Sequence, residues 1–74
     1  MIEAKNVTNE YIDELNKKKY VIIMDHASGK IFNNMIKAIN LFADKGWKCV
    51  NITVMASGER LGLTHVIYAL MEQI

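Results

Sequence analysis

The chain has 74 residues, 51% hydrophobic and 23% charged, with a formal net charge of +1. A domain this small buries only about 60% of its unfolded surface, so its surplus of apolar side chains predicts a face covered by another subunit. Near-neutral charge and a single arginine, Arg60, argue against a nucleic-acid footprint, and a single cysteine, Cys49, excludes an intrachain disulfide and fits a reducing compartment.

Residues 7–18, "VTNEYIDELNKK", place Val7, Tyr11, Ile12 and Leu15 on one helical face, with Thr8 or Asn9 as N-cap and lysines at the far end. So short a helix needs something to dock on. "YVIIM", 20–24, is apolar on both alternating faces and predicts a strand covered on both sides.

Residues 30–45 predict a long amphipathic helix whose stripe is Phe32, Met35, Ile36, Ile39, Phe42 and Ala43. Ser28 fits its N-cap. Gly46 fits the left-handed residue after its end, and Trp47 would then meet Phe42 as in a Schellman ending. "KCVNITVMA", 48–56, alternates, with Val50, Ile52, Val54 and Ala56 on one face and Cys49, Asn51, Thr53 and Met55 on the other.

Residues 63–74, "LTHVIYALMEQI", fit either an amphipathic helix or a strand buried on both faces. Architecture favours the strand, because two strands alone make a marginal sheet. The loop "SGERLG" then becomes a wide hairpin turn. The first two strands lie parallel through a right-handed crossover, and the third runs antiparallel between them.

The expected fold is α+β: an N-terminal helix, then βαββ, with a three-stranded mixed sheet carrying one long helix. It forms a single domain, 1–74, with a helical arm at 1–18 and a βαββ core at 19–74. The sheet's other face is expected to be covered partly by the first helix and partly by a second copy. No apolar run approaches the ~20 residues of a membrane span, and "MIEAKNVTNE" lacks a leader's profile. A cytoplasmic location without membrane contact is the expectation.

The helix ending in Gly46-Trp47, the alternating strand after it, the glycine-containing loop and the final Val-, Tyr- and Leu-rich strand closing on Glu72 resemble the small βαββ family known as domain of unknown function 4177. The resemblance covers about residues 20–73. It implies the fold and a helix-end role for Trp47, and it brings no activity. The N-terminal helix departs from that pattern. The element order is also similar to the dodecins, small βαββ flavin-binding oligomers.

Candidate chemistry is thin. Ser28-Gly29-Lys30 is no nucleotide loop, because the position of the earlier glycine is Met24 and Ile31 follows the lysine. Backbone N–H groups there, with Lys30, could at most hold an anion. Asp25 and His26 end a strand, where α/β ligand sites often lie; adjacent strand residues point apart, so Asp25 reads as a turn former and His26 as exposed. Cys49 with His26 or His65 lacks any local nucleophile signature. "DHASGK" therefore reads as a plain strand-to-helix turn.

Trp47, if exposed, could stack a planar ligand. The expected function is a small homo-oligomeric binding or scaffolding module, dimer or higher, with no catalytic residues, cofactor or metal. The alternatives are an oligomer binding a planar or anionic small molecule through Trp47, Ser28, Gly29 and Lys30, and a very small enzyme using Asp25, His26 and Cys49.

Overall fold

The computed structural model describes residues 1–28, 32–56 and 64–74. Its elements are β1 (Ile2–Glu3), a short 3-10 helix (Ala4–Asn6), α1 (Asn9–Glu14), β2 (Tyr20–Ser28), α2 (Asn33–Asp44), β3 (Trp47–Ala56) and β4 (Thr64–Gln73). The four strands form one sheet in the order β1-β2-β4-β3.

The tail is extended, and β4 lies antiparallel between β2 and β3, as its two-sided apolar pattern predicts. An α+β fold with a mixed sheet results. A fourth strand comes from the N-terminus, where Ile2 and Glu3 pair parallel to Ile23 and Met24; a two-residue strand leaves no periodic signal to read. The hairpin turn expected at "SGERLG" lies outside the described residues.

β2 is longer than the apolar run "YVIIM" suggests. Its pairing with β4 continues to Ser28↔Thr64, so Asp25 to Ser28 are strand residues rather than a turn. A partner strand supplies ladder hydrogen bonds whatever the polarity of the side chains. Gly29 and Lys30 lie outside the described residues.

Helix α2 begins at Asn33, not near residue 30, and its N-cap residue is Phe32, which makes no side-chain cap. Ser28, expected as the cap, belongs to β2. The stripe is also rotated: Met35, Ala38 and Phe42 are buried, while Ile36 is 57% exposed.

The C-terminus follows expectation. Gly46 has φ +89° and its N–H donates to the Ala43 carbonyl at 3.1 Å. Trp47 turns back onto Phe42, with ring centroids 5.2 Å apart at 82°.

Helix α1 is short, six residues, capped by Thr8, whose Oγ1 accepts the Tyr11 N–H at 3.1 Å. Asp13 and Glu14 crowd its last turn, where the helix dipole disfavours negative charge, and the lysines at 17–19 fall beyond it. It packs beside α2, tied by Lys45 to Asp13 at 3.0 Å. Ile12 and Leu15 join Ile23, Met35, Phe42, Trp47 and Met71 in one core.

This corrects an expectation. The first helix covers the same sheet face as α2, not the opposite one. Residues 1–18 are built into the core through Ala4, Val7, Ile12 and Leu15.

Strand β3 carries a bulge between Cys49 and Asn51. Cys49 opposes Met71, Ile52 opposes Ala69 and Val54 opposes Ile67, so Cys49 shares the helix-side face with Ile52 and Val54. Strict alternation puts it opposite them; one extra residue flips every side chain that follows.

Candidate functional site

Two faces result. On the helix side, β2 presents Val21, Ile23 and Asp25, and β4 presents Ile67, Ala69 and Met71. On the other side stand Tyr20, Ile22, Met24 and His26 of β2, Val66, Tyr68, Leu70 and Glu72 of β4, and Asn51, Thr53 and Met55 of β3. No described element covers that second face.

Its rows run across three strands: Ile22–Leu70–Asn51, Met24–Tyr68–Thr53 and His26–Val66–Met55. Tyr20, Ile22 and Met55 are 52%, 43% and 54% exposed, while Met24, Val66, Tyr68 and Leu70 are half-buried by one another. Charge lies at the borders of this face: at one end Glu72 lies 3.7 Å from both Lys19 and Lys48, and along the β1 edge Glu3 stands beside Met24. The centre is an apolar strip, and Glu3 at its β1 border pairs with Lys5 at 3.4 Å.

The helix layer also leaves part of its own side bare. A twelve-residue helix spans about 18 Å and a ten-residue strand about 33 Å. Ile52 and Val54, at the β3 edge, remain 48% and 53% exposed although they face the helix layer.

Asp25 is 8% exposed. Its Oδ1 accepts the His26 N–H at 2.9 Å and its Oδ2 accepts the Met35 N–H at 3.0 Å. The carboxylate therefore caps α2 from the neighbouring strand, satisfying an N–H that the helix cannot, at the end where the dipole favours negative charge. It is not a turn former, as the sequence suggests, and both oxygens are engaged.

His26 is exposed on the opposite face of the sheet, so the two make no dyad. The Cys49 thiol donates to the Asn51 carbonyl at 3.6 Å. It stands level with Met71, four residues along β4 from the Asp25 level at Ile67, about 13 Å away at 3.3 Å per residue. Asp25, His26 and Cys49 are not brought together.

His65 shares the helix-side face, and its buried Nδ1 has no hydrogen-bond partner among the described residues. Trp47 is 2% exposed, its ring enclosed against Phe42 rather than offered to a ligand. Of the anion candidates, Gly29 and Lys30 lie outside the described residues.

Two hollows accompany these groups. One, about 120 Å³, is lined by Glu3, Lys5, Met24, Asp25, His26 and Asn34; it is below the ~300 Å³ at which small-molecule sites begin, and Lys5 is already paired to Glu3 at 3.4 Å. The other, an open groove of about 330 Å³, runs between the N-terminus, α1 and β2, and is lined by Tyr11, Leu15, Lys18, Tyr20 and their neighbours. Sequence reading does not find this groove, because its walls come from segments separated by a fold contact rather than by a spacing.

No family model matches the chain, and no curated protein matches it. Among solved structures it is similar to TYW2 of M. jannaschii, crystallised in complex with AdoMet, with a TM-score of 0.53 and 22% identity, over 97% of this chain and 37% of that one. A likeness at that identity concerns the fold alone. The chain spans little more than a third of the length of that protein.

Proposed function

We propose that the chain is a small homo-oligomeric binding or scaffolding module without catalytic machinery of its own. The observation that carries this reading is the uncovered sheet face, with Ile22, Met24, Met55, Val66, Tyr68 and Leu70 forming one apolar strip on a chain whose helices all lie on the other side. Contiguous apolar strips of this kind mark interaction sites. The occupant is a second copy. The apolar side chains of the strip are uncharged, so two copies can stack about a two-fold axis as sheets stack, about 10 Å apart.

Sedimentation equilibrium of the purified chain is the test. A mass of two chains or more, lowered by Leu70→Lys at unchanged circular dichroism, is expected. A strict monomer at high micromolar concentration removes the reading.

A second reading is an oligomer that holds a planar, anionic small molecule. It is supported by the groove beside α1, which is lined by Tyr11, Tyr20 and Lys18. That a protein with this fold, TYW2, is seen with AdoMet adds only that the fold occurs in a ligand-binding protein. Titration calorimetry with flavin mononucleotide tests it: saturable heat that Lys18→Ala reduces supports it, and no heat at millimolar flavin ends it.

A further inference from the structure

Strand β3 is the long edge of the sheet: it pairs with β4 only, and no described strand meets its other side. Natural edges are guarded by charge, proline or a bulge. β3 has Lys48 and the bulge at its beginning, but from Cys49 to Ala56 it carries no charge and no proline. Val50, Ile52, Val54 and Met55 are all about half exposed along it. An unguarded edge this apolar is a template for another strand.

We infer that β3 pairs antiparallel with β3 of a second copy, through a two-fold axis at Thr53, and that this contact is separate from the stacking of open faces. The occupant follows from self-complementarity. With the axis at Thr53, Ile52 stands opposite Val54 twice on the helix side. On the open side Thr53 faces Thr53, and Asn51 faces Met55 twice. Bulky apolar side chains meet one another, the two threonines can exchange a hydrogen bond, and no like charges meet. The bulge lies outside the paired stretch, so the ladder is regular.

The geometry also fixes how this contact combines with face stacking, on whose reading the fourfold assembly rests. Edge pairing has its axis perpendicular to the sheet, and face stacking has its axis parallel to it. With the stacking axis passing through the edge axis at the level of Thr53, the two perpendicular two-folds close into a D2 tetramer, the common next step after a two-fold dimer. A five-residue ladder alone falls short of the roughly 1,200 Å² of a stable interface. Held by the face contact, it closes at high effective concentration.

Sedimentation equilibrium and light scattering on four chains test this. The wild-type chain is expected at four times the 8.4 kDa of one chain. Val54→Lys, on the helix side of the edge, should halve that mass, because an ammonium would face Ile52 of the other copy. Leu70→Lys, on the open face of the central strand, should leave a concentration-dependent monomer–dimer mixture. The double variant should be monomeric.

As a measurement that survives a misfolded lysine variant, Thr53→Cys in a Cys49→Ser background should cross-link chain to chain under mild oxidation. A wild-type oligomer whose mass Val54→Lys leaves unchanged, or a Thr53→Cys chain that fails to cross-link, overturns the edge contact while face stacking stands. A wild-type monomer overturns both.

Discussion

The Asp25 carboxylate caps helix α2 from the adjacent strand, accepting the Met35 N–H at 3.0 Å while its other oxygen accepts the His26 N–H at 2.9 Å. The bond joins the sheet layer to the helix layer at a buried point ten residues apart in the chain. It also replaces the local cap that α2 lacks, since Phe32 offers no acceptor.

Removing that acceptor should therefore be costly. Asp25→Ala leaves the Met35 N–H buried without a partner, and a loss of about 1–3 kcal/mol is expected. Asp25→Asn, which keeps one carbonyl oxygen, should lose less. Urea unfolding followed by circular dichroism measures both; equal stability of Asp25→Ala and wild type would show that the carboxylate does not hold the helix.

Gly46 has φ +89° with open space where a side chain would begin. Gly46→Ala should cost about 1–2 kcal/mol from the backbone conformation alone, with no steric clash to relieve. Thermal unfolding should show a midpoint several degrees lower and unchanged native circular dichroism. An unchanged midpoint would mean that the helix end tolerates a side chain.

Trp47 is the sole tryptophan and is 2% exposed. Its emission should be blue-shifted and poorly quenched by acrylamide in the native protein. Trp47→Ala should cost about 3–5 kcal/mol, and Trp47→Phe less, because an edge-to-face partner for Phe42 is retained. Water-like emission from folded protein would place the ring outside the core.

Open-face substitutions should separate association from folding. Ile22→Lys replaces a side chain that is 43% exposed in the single chain. It should weaken self-association at least tenfold and lower monomer stability by no more than about 1 kcal/mol, somewhat above a fully exposed site because the side chain is part-covered. Unfolding at concentrations below the association midpoint isolates the second effect. A large loss there would mean that Ile22 belongs to the monomer's own core.

Much of the architecture is carried by local pattern. Gly46 followed by Trp47, with Phe42 one turn earlier, signals the helix end because only a few residues decide it. The apolar runs in β2 and β4 signal strands, and their number decides between helix and strand for the tail. The double-sided cover expected of β2 is not met within the single chain, where Tyr20 and Ile22 are exposed. Pattern misleads where pairing or packing outweighs the side chains. The polar stretch Asp25 to Ser28 is strand because β4 lies alongside it. Cys49 faces the helix because a bulge adds one residue.

The sequence by itself determined the two helices and the three long strands, the end of α2, and an excess of apolar side chains for so short a chain. These rest on periodicities of 3.6 and 2 and on one glycine's freedom, all of them properties of neighbouring residues. Only the tertiary structure decided that Asp25 serves α2, that α1 lies beside α2 rather than across the sheet, and that Cys49 stands far from Asp25. Each of those depends on residues distant along the chain, and no local spacing encodes which of two sheet faces a short helix will choose.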